Sequence, residues 1–179
     1  MADVANVISG PATLFVAPDG TTIPTLTGNA TDFAAFSQPG YTDKGIEFDY
    51  SSTDKDIDVD ELTSPVDVLI TAEKLTVTVS LAETTLQNLF NAISGGTLTT
   101  SSRLDIGGKL RPSRFVLGIM GPAPTTLATR QILIYRAIPA GTVKMHYQRK
   151  DKLMYAASFR ALGLSTLALG QNMCTIQDF

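Results

Sequence analysis

The chain has 179 residues with 17 acids against 14 Lys and Arg, a net charge of −3 that excludes a conventional basic nucleic-acid binder. A chain of this length buries about 70% of its unfolded surface, enough to fold as one domain without cross-links. A single Cys (Cys174) and a single His (His146) exclude a disulfide scaffold and leave too few ligands for an all-protein zinc site.

In chain order, residues 1–11 read as a thin N-terminal arm, and residues 12–16 as a short apolar strand stopped at Pro18-Asp19-Gly20. Residues 19–45, rich in Gly, Thr, Pro and Asp, read as a long loop. Ile46, Phe48 and Tyr50 then alternate with Glu47 and Asp49, and Ile57 and Val59 alternate with Asp56, Asp58 and Asp60. That is the two-residue period of a sheet with one buried face. The two runs predict a hairpin turning at Ser52-Thr53, which sets Glu47 opposite Asp58 and Asp49 opposite Asp56. Further strands are predicted at 66–70 and 75–81.

One helix is predicted over about 81–94. Ser80-Leu81-Ala82-Glu83 has the form of a capping box, and Leu86, Leu89, Phe90 and Ile93 fall on one apolar stripe. Gly95-Gly96 ends it. So narrow a stripe predicts a helix lying on the subunit's own sheet. Strands follow at 114–119, 130–138, 143–148 and 152–161, the last three as an antiparallel meander. Residues 162–179 stay apolar but lose alternation, and read as a C-terminal arm that covers an edge or docks on a neighbour. The fold class is mainly β (α+β), antiparallel, with one flanking helix.

No chemistry is legible in these runs. His146 shares the polar side of its run with Lys144 and Gln148, away from any nucleophile, and no G-x-S-x-G elbow is present. Gly107-Gly108-Lys109 lacks the spacing of a phosphate loop. Asp54-Lys55-Asp56-Ile57-Asp58 has the spacing of a calcium loop, but Val59 and Pro65 stand where the turn Gly and the closing Glu belong. Arg103, Lys109, Arg111 and Arg114 lack the interleaved aromatics of a single-strand binder. No apolar run reaches the 18 or so residues of a membrane span, and the N-terminus lacks a signal-like segment. The reading is a soluble protein that is not an enzyme, with no cofactor, no metal and no membrane partner.

Charge is polarised along the chain. Residues 1–90 hold 14 acids and three lysines, a net −11, and residues 91–179 hold three acids and 11 basic residues, a net +8. Opposite ends of this kind favour head-to-tail contacts, which build rings or filaments.

Three stretches carry a family resemblance. They are Gly40-Tyr41-Thr42-Asp43-Lys44-Gly45-Ile46-Glu47-Phe48, then Val59-Asp60-Glu61-Leu62 leading to Pro65-Val66-Asp67-Val68, then Thr71 with Val77-Thr78-Val79-Ser80-Leu81-Ala82-Glu83-Thr84-Thr85-Leu86-Gln87-Asn88-Leu89. Over roughly residues 36–94 the chain resembles the tail tube (major tail) proteins of tailed bacteriophages. It departs from them in having Phe33 and Phe36 where members often carry a Trp. The resemblance implies a β-sandwich or barrel assembled in rings, usually of six copies, that stack into a hollow tube for genome ejection. It also implies a virion tail location, assembly in the host cytoplasm, and tape-measure, tail-terminator or baseplate proteins as partners. Phage DNA passes through such a lumen without specific binding. Related tubes occur in bacterial injection and secretion machines. A β-rich adhesin or carbohydrate-binding module is the other class the fold suits, but such sites expose Trp, and the chain has none.

Within that frame the acidic row Glu47, Asp49, Asp54, Asp56, Asp58 and Asp60 has three possible settings. It lines the lumen, it is a solvated face, or it meets the basic half of a neighbour. Arg111, Arg114, Arg149 and Lys150 are the foremost basic candidates, with Arg103, Lys109, Lys144 and Lys152 beside them.

Overall fold

The apolar runs become nine strands and one α-helix among the described residues, which in this computed structural model are 8–60, 63–124, 128–145, 147 and 152–179. In chain order they are β1 (Thr13–Pro18), β2 (Thr42–Ile57), β3 (Asp67–Leu81), α1 (Leu86–Ala92), β4 (Gly96–Thr100), β5 (Arg103–Ile106), β6 (Phe115–Pro122), β7 (Thr129–Ala140), β8 (Tyr155–Ala161) and β9 (Cys174–Asp178). The main sheet is antiparallel in the order β1-β6-β7-β8-β3-β2, and β4 and β5 form a separate hairpin. β7 is long enough to hold three neighbours. β6 runs along one edge, while β9 (at 130–134) and β8 (at 137–140) share the other.

Alternation sets the core. Leu75, Val77, Val79 and Leu81 of β3 are buried and the residues between them are not. They join one cluster with Leu14 and Val16 of β1, Phe115 and Leu117 of β6, and Phe159 of β8. Strands from both flanks of the order share that cluster, so the sheet folds over on itself as a β-sandwich does. Leu89 of α1 is buried in it, and Leu86, Phe90 and Ile93 pack against it, as the narrow stripe predicts.

A second cluster covers the outer face of β1, β6 and β7, and its centre comes from the long loop. Ala30–Phe33 is a 3₁₀ turn that lays Phe33, 1% exposed, against Phe15 (centroids 4.8 Å apart) and Phe36 (5.4 Å). Gly118 of β6 makes room for it, since a Cβ there would overlap the Phe33 ring. Burying such a side chain stabilises by roughly 1.5–3 kcal/mol. The long loop is therefore anchored on the subunit body at Phe33 and Phe36, and its last four residues open β2.

Three expectations are corrected. The helix begins at Leu86, because Ser80 and Leu81 complete β3 and Thr85 is the N-cap, its hydroxyl accepting from Asn88 N at 3.2 Å. Glu83 instead accepts from Tyr41 N. The helix ends where Ile93 turns extended, ahead of the glycines. The three-strand meander reduces to the β7–β8 pair, because residues 142–145 are not strand and His146 and Gln148 lie outside the described residues. The C-terminal arm takes the first of its two expected settings, an edge: it ends in β9, which pairs with β7 in the subunit's own sheet, where Arg130 donates to both oxygens of Asp178 (2.6 and 2.7 Å). The hairpin is the third correction and defines the candidate interface.

Candidate assembly interface

β2 does not turn at Ser52-Thr53. Both residues stay within the strand, which runs on to Ile57, and the reversal comes only beyond it. There Val66 N donates to Ile57 O at 2.9 Å, closing the loop just past Pro65. β2 therefore pairs with β3 along its whole length, Phe48 with Val77 and Asp56 with Val68. Glu47 lies opposite Thr78 and Asp49 opposite Thr76, so the facing carboxylates expected from a short hairpin do not form. A bulge at Thr71 flips the parity of β3. As a result Asp54, Asp56, Val68 and Ile70 continue the face that Phe48 and Val77 begin.

β8 supports β3 only at residues 76–81. From Lys74 outward the two strands are a ribbon with no third strand, which projects about 23 Å over residues 51–57 at roughly 3.3 Å per residue. Tyr50 marks its root, donating from its hydroxyl to Glu73 (2.6 Å). Two-stranded ribbons are marginal in water and their edges invite pairing. This one also exposes apolar surface on both faces. Tyr50, Ile57, Val59, Val66, Val68, Leu69 and Ile70 are seven of the 17 large apolar side chains exposed among the described residues. The clue in the sequence is Val68-Leu69-Ile70, an apolar run without alternation in a strand that has no second layer.

All six acids of the row are exposed, but they divide. Glu47 and Asp49 sit at the root of the ribbon, Asp54 and Asp56 on it, and Asp58 and Asp60 in the loop at its tip. Among the described residues none of the six is in an ion pair, and no three His, Cys, Asp or Glu are grouped to hold a metal.

The basic residues gather elsewhere. Arg111 and Arg114 lie exposed in the segment that leads from β5 into β6, with Lys109 just before them. Lys109 is anchored there, donating to Ser113 Oγ (2.8 Å) and Gly96 O (3.2 Å). Arg114 reaches Asp19 at 3.8 Å, and Arg136 donates to the same carboxylate at 3.2 Å, which leaves that trio one positive charge. Lys152 reaches Asp43 at 3.5 Å, and Arg103 is paired with Asp105. Arg149 and Lys150 lie outside the described residues. Arg111, Arg114 and Lys109 thus share one segment, and no ion pair joins them to the arm's acids among the described residues. Cys174 is half-buried in β9, and burial pushes its thiol pKa up, the opposite of an activated nucleophile. No helix among the described residues is long and apolar enough to cross a membrane.

A curled antiparallel sheet carrying one short helix and a long unsupported hairpin is the build of a subunit made for assembly. The phage tail tube protein family model matches residues 1–119, and the chain belongs to that family. It is a structural protein of a phage tail tube. Solved structures similar to it include a chain of a native gene transfer agent virion (8% identical, covering 82% of this chain and 90% of that one, TM-score 0.35). Another is the tail of an empty gene transfer agent particle with C6 symmetry (8%, 91% and 99%, TM-score 0.35). A third is the Hcp protein (11%, 96% and 100%, TM-score 0.37). At these scores the likenesses carry no argument of their own. No curated protein sequence matches the chain.

Proposed function

We propose that the chain polymerises with itself into stacked rings, six copies to a ring, and that the stack is the conduit through which the phage genome leaves the capsid. The observation that carries the reading is the arm of β2 and β3, apolar on both faces and unsupported, on a body that buries its own core. An exposed apolar surface of that extent on an edge ribbon calls for a partner, and every copy of the chain offers one. The number six comes from the family resemblance. Tubes of this kind form in the host cytoplasm, and tape-measure, terminator and baseplate proteins complete them inside and at their ends. The role is mechanical and not catalytic, in keeping with a Cys174 thiol that burial deactivates. Negative-stain microscopy of the purified protein tests the reading: end-on rings with sixfold averages and side-on tubes are expected, and monomers at every concentration would contradict it.

A further inference from the structure

The arm is acidic as well as apolar. Residues 50–75 hold seven acids and two lysines, a net −5. A surface that receives it must be apolar and basic, and one segment of the chain is both. Residues 107–114 carry Lys109, Arg111 and Arg114 with no acid, and Leu110 among them is 100% exposed. The segment is a ridge between two clefts. One, about 580 Å³, is mainly apolar, lined by Val16, Pro18, Phe90 and Phe115, with Arg114 and its partner Asp19 in its wall. The other, about 330 Å³, is lined by Lys109, Pro112, Ile138 and Arg160, with two cations and no carboxylate.

We infer that this ridge and its clefts are the seat for the acidic arm of a second copy of the chain, a step that rests on the self-assembly reading above. Charge complementarity selects the occupant: the arm's acids and Arg111 are in no ion pair among the described residues of their own subunit. The ridge is also preformed. Gly107 and Gly108 set its course with φ of 122° and 69°, and the bonds from Lys109 to Ser113 and Gly96 hold it, so little ordering is needed on docking. Each copy carries both arm and seat, so the contact is heterologous and repeats from copy to copy. Opposed charges set its register and make it sensitive to salt, while Val68, Leu69 and Ile70 meet the larger, mainly apolar cleft.

Charge reversal on both sides tests this. Asp54→Lys/Asp56→Lys on the arm and Arg111→Glu/Arg114→Glu on the ridge are each compared with wild type for the lowest concentration that polymerises, read by sedimentation, with circular dichroism confirming the fold. Each is expected to raise that concentration about tenfold or more, equivalent to about 1.4 kcal/mol. All four changes in one chain restore it to near the wild-type value. Should Arg114→Glu disturb the body through Asp19, the fully exposed pair Leu110→Asp/Arg111→Glu replaces it, with the same rise expected. Either one-sided variant polymerising like wild type, or a combination no better than the weaker variant, overturns the seat while leaving self-assembly standing. Wild-type protein that never polymerises overturns self-assembly itself and the seat with it.

Discussion

The same two strands meet two different fates in this molecule. At their roots β2 and β3 belong to the body: β3 alternates, its odd residues from 75 to 81 are buried, and β8 supports it. Beyond Lys74 the identical ladder continues with nothing behind it, and every described residue from 49 to 74 is at the surface. The body buries the inward faces of its strands in two apolar clusters. The arm exposes Val68, Leu69 and Ile70, each at least half exposed, and keeps its carboxylates unpaired. One region is packed on itself and the other stands exposed, and on the assembly reading proposed above the exposed one is the contact surface. Substitutions in the two regions should therefore separate folding from assembly.

The largest effect on folding belongs to the body. Phe33→Ala should cost about 3–5 kcal/mol in denaturant unfolding, the range for a large aromatic removed from a core. That result would make the long loop part of the body, whereas a loss below about 1 kcal/mol, a typical surface-like value, would move it to the arm's side of the comparison. Leu89→Ala, which removes the centre of the helix stripe, should cost about 2–5 kcal/mol on the same assay. On the arm the expectation reverses. Val68→Ser/Ile70→Ser should shift subunit stability by no more than about 0.5 kcal/mol, as for exposed positions, while polymer disappears from sedimentation. Loss of stability matching that of Leu89→Ala would erase the distinction.

The smallest effect concerns β9. The hydrogen bonds from Arg130 hold the Asp178 carboxyl below its ordinary range, and the contact in turn raises Arg130. A lowered folded-state value means that the contact stabilises fully above the ordinary carboxylate range and is lost as pH falls through the lowered value. Protection of the amides of residues 174–178 against exchange should then fall on acidification before that of β6 does. Asp178→Asn should remove the difference.

Much of this division is legible in the residues. The alternation of Leu75, Val77, Val79 and Leu81 identifies the buried strand, and the stripe through Leu89 identifies which face the helix buries. What misleads is local chemistry without its tertiary setting. Ser80 and Glu83 have the letters of a cap, but Leu81 has a core to fill, so the strand runs on. Ser52-Thr53 looks like a turn between two alternating runs, yet both residues stay in β2 and pair with β3. The placement of Phe33 depends on Gly118, some 85 positions away, and such a pairing leaves no periodic mark. The acidic row was visible from its spacing, whereas its setting, an arm without a third strand, follows from where β8 ends.

The most direct measurement removes the arm. Replacing residues 53–72 by Asn-Gly joins the paired residues Ser52 and Glu73 through a two-residue turn. The shortened chain should unfold with a midpoint close to that of the wild-type subunit and should sediment as a monomer at concentrations where the full chain forms tubes. Tubes of normal appearance from the shortened chain would contradict the account.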